Sequence, residues 1–142
     1  CLLCEREGAG LMAAGAAPRS DDDATALAYA ATTLAGTERE VVAIACYTRT
    51  GRTARILAAL RPAVPILAFS PDPAVIRGLA LVRGVHARSC VPPGDPTERL
   101  DLMASLLGED SELPPGAAVV LVASTATPGS GPNLLELHRI PR

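Results

Sequence analysis

Short apolar runs alternate along this chain with segments whose apolar residues recur every three or four positions. Val41–Ala45, extending over Glu40–Tyr47, is one such run, and Pro65–Phe69, Val85–Val91 and Ala118–Ser124 are others. Each is rich in small or β-branched residues and is bounded by Gly, Pro or polar clusters, as buried strands are. Helical patterns occupy Ala24–Ala35, Ala54–Leu60, Ala74–Val82 and Thr97–Leu107. Ser20-Asp21-Asp22-Asp23 opens the first of these, with hydroxyl or carboxylate capping and acid in the first turn. Arg61-Pro62 closes the second, Pro73 sits in the first turn of the third, Gly84 ends it, and Thr97 or Asp95 caps the fourth. Cys1–Ala13 suits a further short helix, weakened by Gly8 and Gly10 and followed by a loop containing Pro18. A Gly-Ser-Pro loop, Thr127–Pro132, leads to a last strand, Leu134–Ile140. That connection is too short for a crossover, so this pair is expected to be antiparallel.

Strands alternating with helices predict a mostly parallel sheet covered by helices on both faces, an α/β fold in a single domain over residues 1–142. A chain of this length buries roughly 68–70% of its unfolded surface. Hydrophobic residues make up 49% of the sequence but aromatics only 2%. The core must therefore be built from closely packed aliphatic layers. A formal net charge of −2 gives no reason to expect nucleic acid or an anionic membrane as partner. No apolar run approaches the roughly 18–20 residues of a membrane span, and no signal-peptide pattern opens the chain, so the expected location is cytoplasmic. The chain begins at Cys1 rather than methionine, which points to a piece of a longer protein.

Chemistry concentrates where the first strand hands over to the second helix. Thr48-Arg49-Thr50-Gly51-Arg52-Thr53 places three hydroxyls, two guanidinium groups and a glycine at a helix mouth. Helix N-termini present unpaired N–H groups and partial positive charge, which attract anions, and arginine adds paired donors suited to phosphate oxygens. In parallel sheets ligands sit beyond the carboxyl ends of the strands, which is where this loop falls. The bland alternative is an ordinary strand-to-helix turn with threonine as cap and the arginines in solvent. For Gly129-Ser130-Gly131 the choice lies between a ligand lid and a flexible hairpin.

Other candidates are weaker. Cys1 and Cys4 form a CxxC, but no second CxxC or HxxxH accompanies it, and one helical turn separates the two. Cys46 and Cys90 fall in or beside strands, where cysteine acts as a small hydrophobe. Asp21-Asp22-Asp23 reads as a helix start before it reads as a metal site. His86 and His138 are isolated, Arg55 and Arg83 read as solvated or interfacial, and Tyr29 and Tyr47 are expected to be buried with bonded hydroxyls. No Ser–His–acid order, paired carboxylates or metal cluster marks the chain as an independent enzyme, so no catalytic or metal-ligating residue is assigned.

The order of these pieces resembles the C-terminal domain of pyruvate kinases, bacterial members above all. The matching segments are Ser20-Asp21 with the alanine-rich helix, Thr48–Ala54, Arg61-Pro62, Pro65–Phe69, Leu81–Val85, Pro128-Gly129-Ser130-Gly131, Asn133-Leu134 and His138-Arg139-Ile140. The resemblance implies a three-layer α/β/α sandwich around a mixed five-stranded, mostly parallel sheet with an antiparallel last strand. It also implies an allosteric and tetramer-forming role. The loop matching Thr48–Thr53 grips an effector phosphate in that family, with Thr48, Thr50 and Thr53 supplying hydroxyls, Gly51 allowing close approach and Arg49 and Arg52 supplying charge. The loop matching Pro128–Pro132 closes over the pocket in relatives regulated by fructose 1,6-bisphosphate. Catalysis in the family, phosphoryl transfer between phosphoenolpyruvate and ADP with magnesium and usually potassium, belongs to a β/α barrel absent from these residues. Those relatives add an aromatic and a basic residue from the segment matching Asp95–Ala104, where this chain has Pro96 and Met103. A sugar phosphate or nucleotide monophosphate is therefore expected over a bisphosphate. Two alternatives remain: a free-standing relative that binds or hydrolyses a small phosphate ester, and a purely structural assembly domain.

Overall fold

A computed structural model describes residues 22–124 and 131–142. The expected helix Cys1–Ala13, the Ser20-Asp21 capping residues and the Thr127–Ser130 part of the last loop lie outside the described residues. The elements, in chain order, are α1 (Asp23–Thr37), β1 (Val41–Tyr47), α2 (Arg52–Ala59), β2 (Ile66–Ser70), α3 (Pro73–Leu79), β3 (Val85–Ser89), a 3-10 turn (Pro96–Glu98), α4 (Arg99–Gly108), β4 (Ala118–Ala123) and β5 (Leu134–Arg139). The strands form one sheet in the order β3-β2-β1-β4-β5. β1 to β4 run parallel and β5 pairs antiparallel to β4, the mixed sheet expected from the sequence.

Two apolar layers clasp the sheet. On one face Val41, Ile44, Cys46, Ile66, Ala68, Val120 and Val122 meet Ala28, Ala31 and Ala35 of α1, Ala54 and Leu57 of α2, and Leu79 of α3. On the other, Ala43, Ala45, Tyr47, Leu67, Phe69, Val119 and Leu121 meet Met103 and Leu107 of α4. Strict alternation would put Val41 on the face of Ala43. A register shift between Val41 and Ala43 against β4 breaks the alternation, and Val41 joins Ile44 instead.

Local rules explain most element ends. Asp72 caps α3 by accepting from the Ala74 N–H at 2.8 Å, with Pro73 in the first turn. That helix stops at Leu79, short of the expected Val82. Tight turns follow, Val82 N–H to the Leu79 carbonyl and Val85 N–H to the Val82 carbonyl, and swing the chain through Gly84 (φ +77) into β3. β3 likewise ends at Ser89 rather than Val91. The Cys90 N–H still reaches the Ser70 carbonyl, but β2 ends there and no strand remains to pair with. The Thr97–Leu107 helix begins as a 3-10 turn, capped by Asp95 on the Thr97 N–H at 2.9 Å, before becoming α-helical at Arg99. α2 closes at Arg61, which adopts φ +49 ahead of Pro62.

Strand order reverses between β1 and β4. The chain leaves β1 toward β2 and β3, then returns across the sheet to β4 on the other side. In such sheets the crevice at the reversal, beyond the carboxyl ends of the two strands, is where ligands lie. The loop after β1 opens there.

Candidate functional site

The loop after β1 is folded by its own residues. Thr48 adds a last rung to the sheet, its N–H donating to the Phe69 carbonyl at 2.9 Å. Its buried hydroxyl oxygen then accepts from the Gly51 N–H at 2.9 Å, which closes the turn. Gly51 stands at the N-cap of α2 with φ +85, a region that side-chain-bearing residues rarely adopt. Space makes a second demand: a Cβ there would lie 3.3 Å from Val75 Cγ1 and 3.4 Å from Leu79 Cδ2 on α3. Thr50 Oγ1 accepts from the Arg52 N–H at 3.4 Å.

Six residues share the loop but divide into two groups. Thr48 and Gly51 are buried and shape it, Thr53 is buried in the first turn of α2, and Arg49, Thr50 and Arg52 are exposed. α2 carries no acid in its first turn and begins with Arg52, so helix polarity and side-chain charge have the same sign at that end. The first amides of the helix have no partner within it. Such an end favours an anion.

A carboxylate from another element meets it. Asp22, the N-cap residue of α1, accepts from Arg52 Nη2 at 2.7 Å and from the Thr25 hydroxyl at 2.7 Å, both on Oδ2. The Thr25 hydrogen bond, then the one from Arg52, holds the Asp22 carboxyl below its usual range. The expected role of Asp22 as part of a capped helix start is thus joined by a second one, an ion pair across 30 residues of sequence. Gly131 approaches the same helix end: a Cβ on it would sit 3.8 Å from the Ala24 Cβ. The start of α1, the β1–α2 loop and Gly131 therefore converge. Gly129 and Ser130 lie outside the described residues.

Arg99 is a group that sequence reading passed over in the Asp95–Ala104 segment. It is 8% exposed, and its guanidinium lies 5.1 Å from the Tyr47 ring centroid. Nη1 donates to the Ser124 carbonyl at 2.8 Å, while the buried Nε has no partner among the described residues. It thereby ties the carboxyl end of β1 to that of β4 on the α4 face. Pro96 begins the 3-10 turn, half-buried, and Met103 is wholly buried in the core, where it faces no ligand. A charge at position 99 could have been noticed in the sequence, but nothing there says that it turns inward.

The remaining candidates fall away from this crevice. Burial pushes the Cys46 thiol up to about 12 and raises that of Cys90, so both act as apolar side chains, as expected. Tyr47 is buried as expected, and its hydroxyl is raised first by burial. Tyr29 is only half-buried, because its position on α1 falls beside the alanine line that meets the sheet. A cavity of about 220 Å³, lined by Val42, Leu67, His86, Arg88, Asp110 and Leu113 among others, opens at the amino ends of the strands. Its arginine is already engaged by Asp110 and Glu112, and it lies at the end of the sheet opposite the β1–α2 loop. Among the described residues no group of three His, Cys, Asp or Glu side chains could hold a metal ion, and no helix is long and apolar enough to cross a membrane.

Known proteins share this arrangement. The chain is 30% identical over 124 residues to a pyruvate kinase of Clostridium perfringens, a match covering 87% of this chain and 26% of that protein. It is 32% identical over 102 residues to a pyruvate kinase of Geobacillus stearothermophilus, covering 71% of this chain and 17% of the relative. A crystal structure of a pyruvate kinase from Cryptosporidium parvum superposes with a TM-score of 0.72 at 27% identity, covering 87% of this chain and 24% of the other. The chain thus spans about a quarter, or less, of the length of the proteins it matches. The family model for the pyruvate kinase alpha/beta domain matches residues 25–138. That stretch runs from the first turn of α1 to the penultimate residue of β5 and so takes in every layer described above. The chain belongs to the family of pyruvate kinase C-terminal α/β domains.

Proposed function

We propose that this chain is the regulatory and assembly domain of a cytoplasmic pyruvate kinase and that the Thr48–Thr53 loop takes the phosphate of a small effector. The observation that carries the reading is positional. The loop opens at the strand-order reversal, with Arg49, Thr50 and Arg52 exposed at a helix start that has no acid of its own. Thr48 and Gly51 hold the turn, Thr50 and Thr53 supply hydroxyls, and the arginines supply charge. Gly131, against Ala24 at the start of α1, stands on the facing side. Arg99 is committed to Tyr47 and the Ser124 carbonyl, so one phosphate fits this crevice better than two. A sugar phosphate or a nucleotide monophosphate is the ligand class. The phosphoryl transfer, and the magnesium and potassium that go with it, belong to a barrel outside these residues. In the full-length protein the domain contributes to a homotetramer, and the effector acts by preferring one of its arrangements.

Calorimetric titration with glucose 6-phosphate and with AMP tests the proposal. Binding that falls by tenfold or more in Arg52→Ala, with the unfolding temperature unchanged, supports it. Absence of heat with either ligand, or equal affinity in Arg52→Ala and Thr50→Ala, removes the phosphate site and leaves the assembly role. A free-standing phosphate-ester binder or hydrolase is favoured by no feature of the crevice, which brings together no nucleophile and base among the described residues.

A further inference from the structure

Arg52 does not wait for a ligand with its charge open. Its Nη2 lies 2.7 Å from Asp22 Oδ2, and the same oxygen accepts from the Thr25 hydroxyl at 2.7 Å. The carboxylate is therefore held in place by its own helix while it occupies the guanidinium of the next. The pair is exposed, with side-chain accessibilities of 58% for Arg52 and 39% for Asp22, so a ligand in solution can reach it. Gly131 lies against Ala24, two residues along the same helix, so Asp22 and Gly131 border the same helix end.

We propose that Asp22 is a built-in competitor for the effector phosphate: in the unliganded domain its carboxylate stands in for the phosphate on Arg52, and binding exchanges one anion for the other. The inference rests on the phosphate reading of the Thr48–Thr53 loop and adds a regulatory and selective element to it. A ligand must offer more than a carboxylate offers, which favours the doubly charged, three-oxygen phosphate group over singly charged carboxylic acids. On exchange Asp22 keeps the Thr25 hydroxyl as donor and is left facing the bound ligand, where its negative charge disfavours a second phosphate and suits a sugar hydroxyl.

The test is titration of the full chain with inorganic phosphate and glucose 6-phosphate in wild type, Asp22→Asn, Asp22→Ser, Arg52→Ala and the double variant Asp22→Asn/Arg52→Ala. Asparagine and serine both cap helices well, so α1 keeps its start. Exposed ion pairs have a worth that corresponds to about a 1.5- to fivefold change in an equilibrium constant. Affinity should rise by that factor in both Asp22 variants, and the gain should vanish when Arg52 is already alanine. A gain of binding is a readout that a damaged fold does not produce. Unchanged or weaker binding in Asp22→Asn and Asp22→Ser overturns the inference while leaving the phosphate site intact. A gain that persists undiminished without Arg52 also overturns it, since Asp22 would then act only through its field. No binding by any of the proteins removes the inference together with the phosphate reading.

Discussion

Replacing Gly51 with alanine probes the loop at its least forgiving point. Three terms act. The left-handed conformation at φ +85 costs a residue with a Cβ about 1–2 kcal/mol. The smaller entropy of an unfolded chain carrying alanine offsets about 0.4–1 kcal/mol of that. The new methyl would stand 3.3 Å from Val75 Cγ1 and 3.4 Å from Leu79 Cδ2; Leu79 is wholly buried and has no open space to retreat into, whereas half-buried Val75 can yield by a few tenths of an ångström. Overpacking with one neighbour able to yield adds about 1 kcal/mol, the low end of its range. The expected net loss is about 2 kcal/mol, or roughly 6–8 °C in unfolding temperature for a domain of this size. Gly36 is the control, because it lies in α1 with no atom within 4 Å of an added methyl and without a left-handed backbone. Gly36→Ala should gain about 0.5–1 kcal/mol from helix propensity. Urea unfolding followed by circular dichroism, compared at a common slope, reads both. A Gly51→Ala protein within about 0.5 kcal/mol of wild type would refute this account, because strain and overpacking would then not be in force.

Three further outcomes follow from other contacts. Arg99→Ala should lose about 2 kcal/mol in urea unfolding, and Arg99→Met should recover most of it, because the buried stem rather than the singly bonded guanidinium does most of the packing. In acid, Asp22 is held below its ordinary range by Thr25 and Arg52, and Glu40 below its own by Arg139. Both carboxyls are lowered on folding, so the unfolded chain binds more protons, and stability is lost as pH falls from about 4 downward; Asp22→Asn and Glu40→Gln should each make that acid limb shallower in urea midpoints taken from about pH 2 to 6. Cys46, its thiol pushed up to about 12 by complete burial, should resist iodoacetamide at about pH 8 in the folded protein and label only after unfolding, as read by peptide mass mapping.

Much of this could be read from residue order. The runs at Val41–Ala45, Pro65–Phe69 and Ala118–Ser124 announce strands because buried parallel strands need apolar residues on both faces. The short link before Leu134 announces an antiparallel partner, and a glycine among threonines and arginines announces a turn into a helix. Legibility fails where a contact joins distant parts of the chain. Nothing within Asp21-Asp22-Asp23 says that the middle carboxylate meets Arg52, since that depends on how α1 lies across the sheet. Arg99 is similar: an arginine at the start of a helix reads as solvated until Tyr47 and the Ser124 carbonyl are seen beneath it. The Val41–Ala43 bulge is invisible because both faces at that point are apolar, so a one-residue slip leaves no mark in the pattern. α3 ends early for a tertiary reason also, the need to turn the chain at Gly84 into register with β2.

α1 meets the sheet through Ala28, Ala31 and Ala35, three methyl groups in a line. Leu34 packs at the flank, but the buried line itself carries only methyl groups, so the helix rests close on the sheet as a rigid beam on a flat bearing. Asp22 is the tip of that beam, about nine residues or about 13 Å from Ala31 along the axis. One extra methylene beneath the middle would therefore tilt the tip and shift the carboxylate against Arg52 without touching either residue. The setting of the crevice is stored partly in volume that the sequence declines to fill, some distance from any group that could bind a ligand.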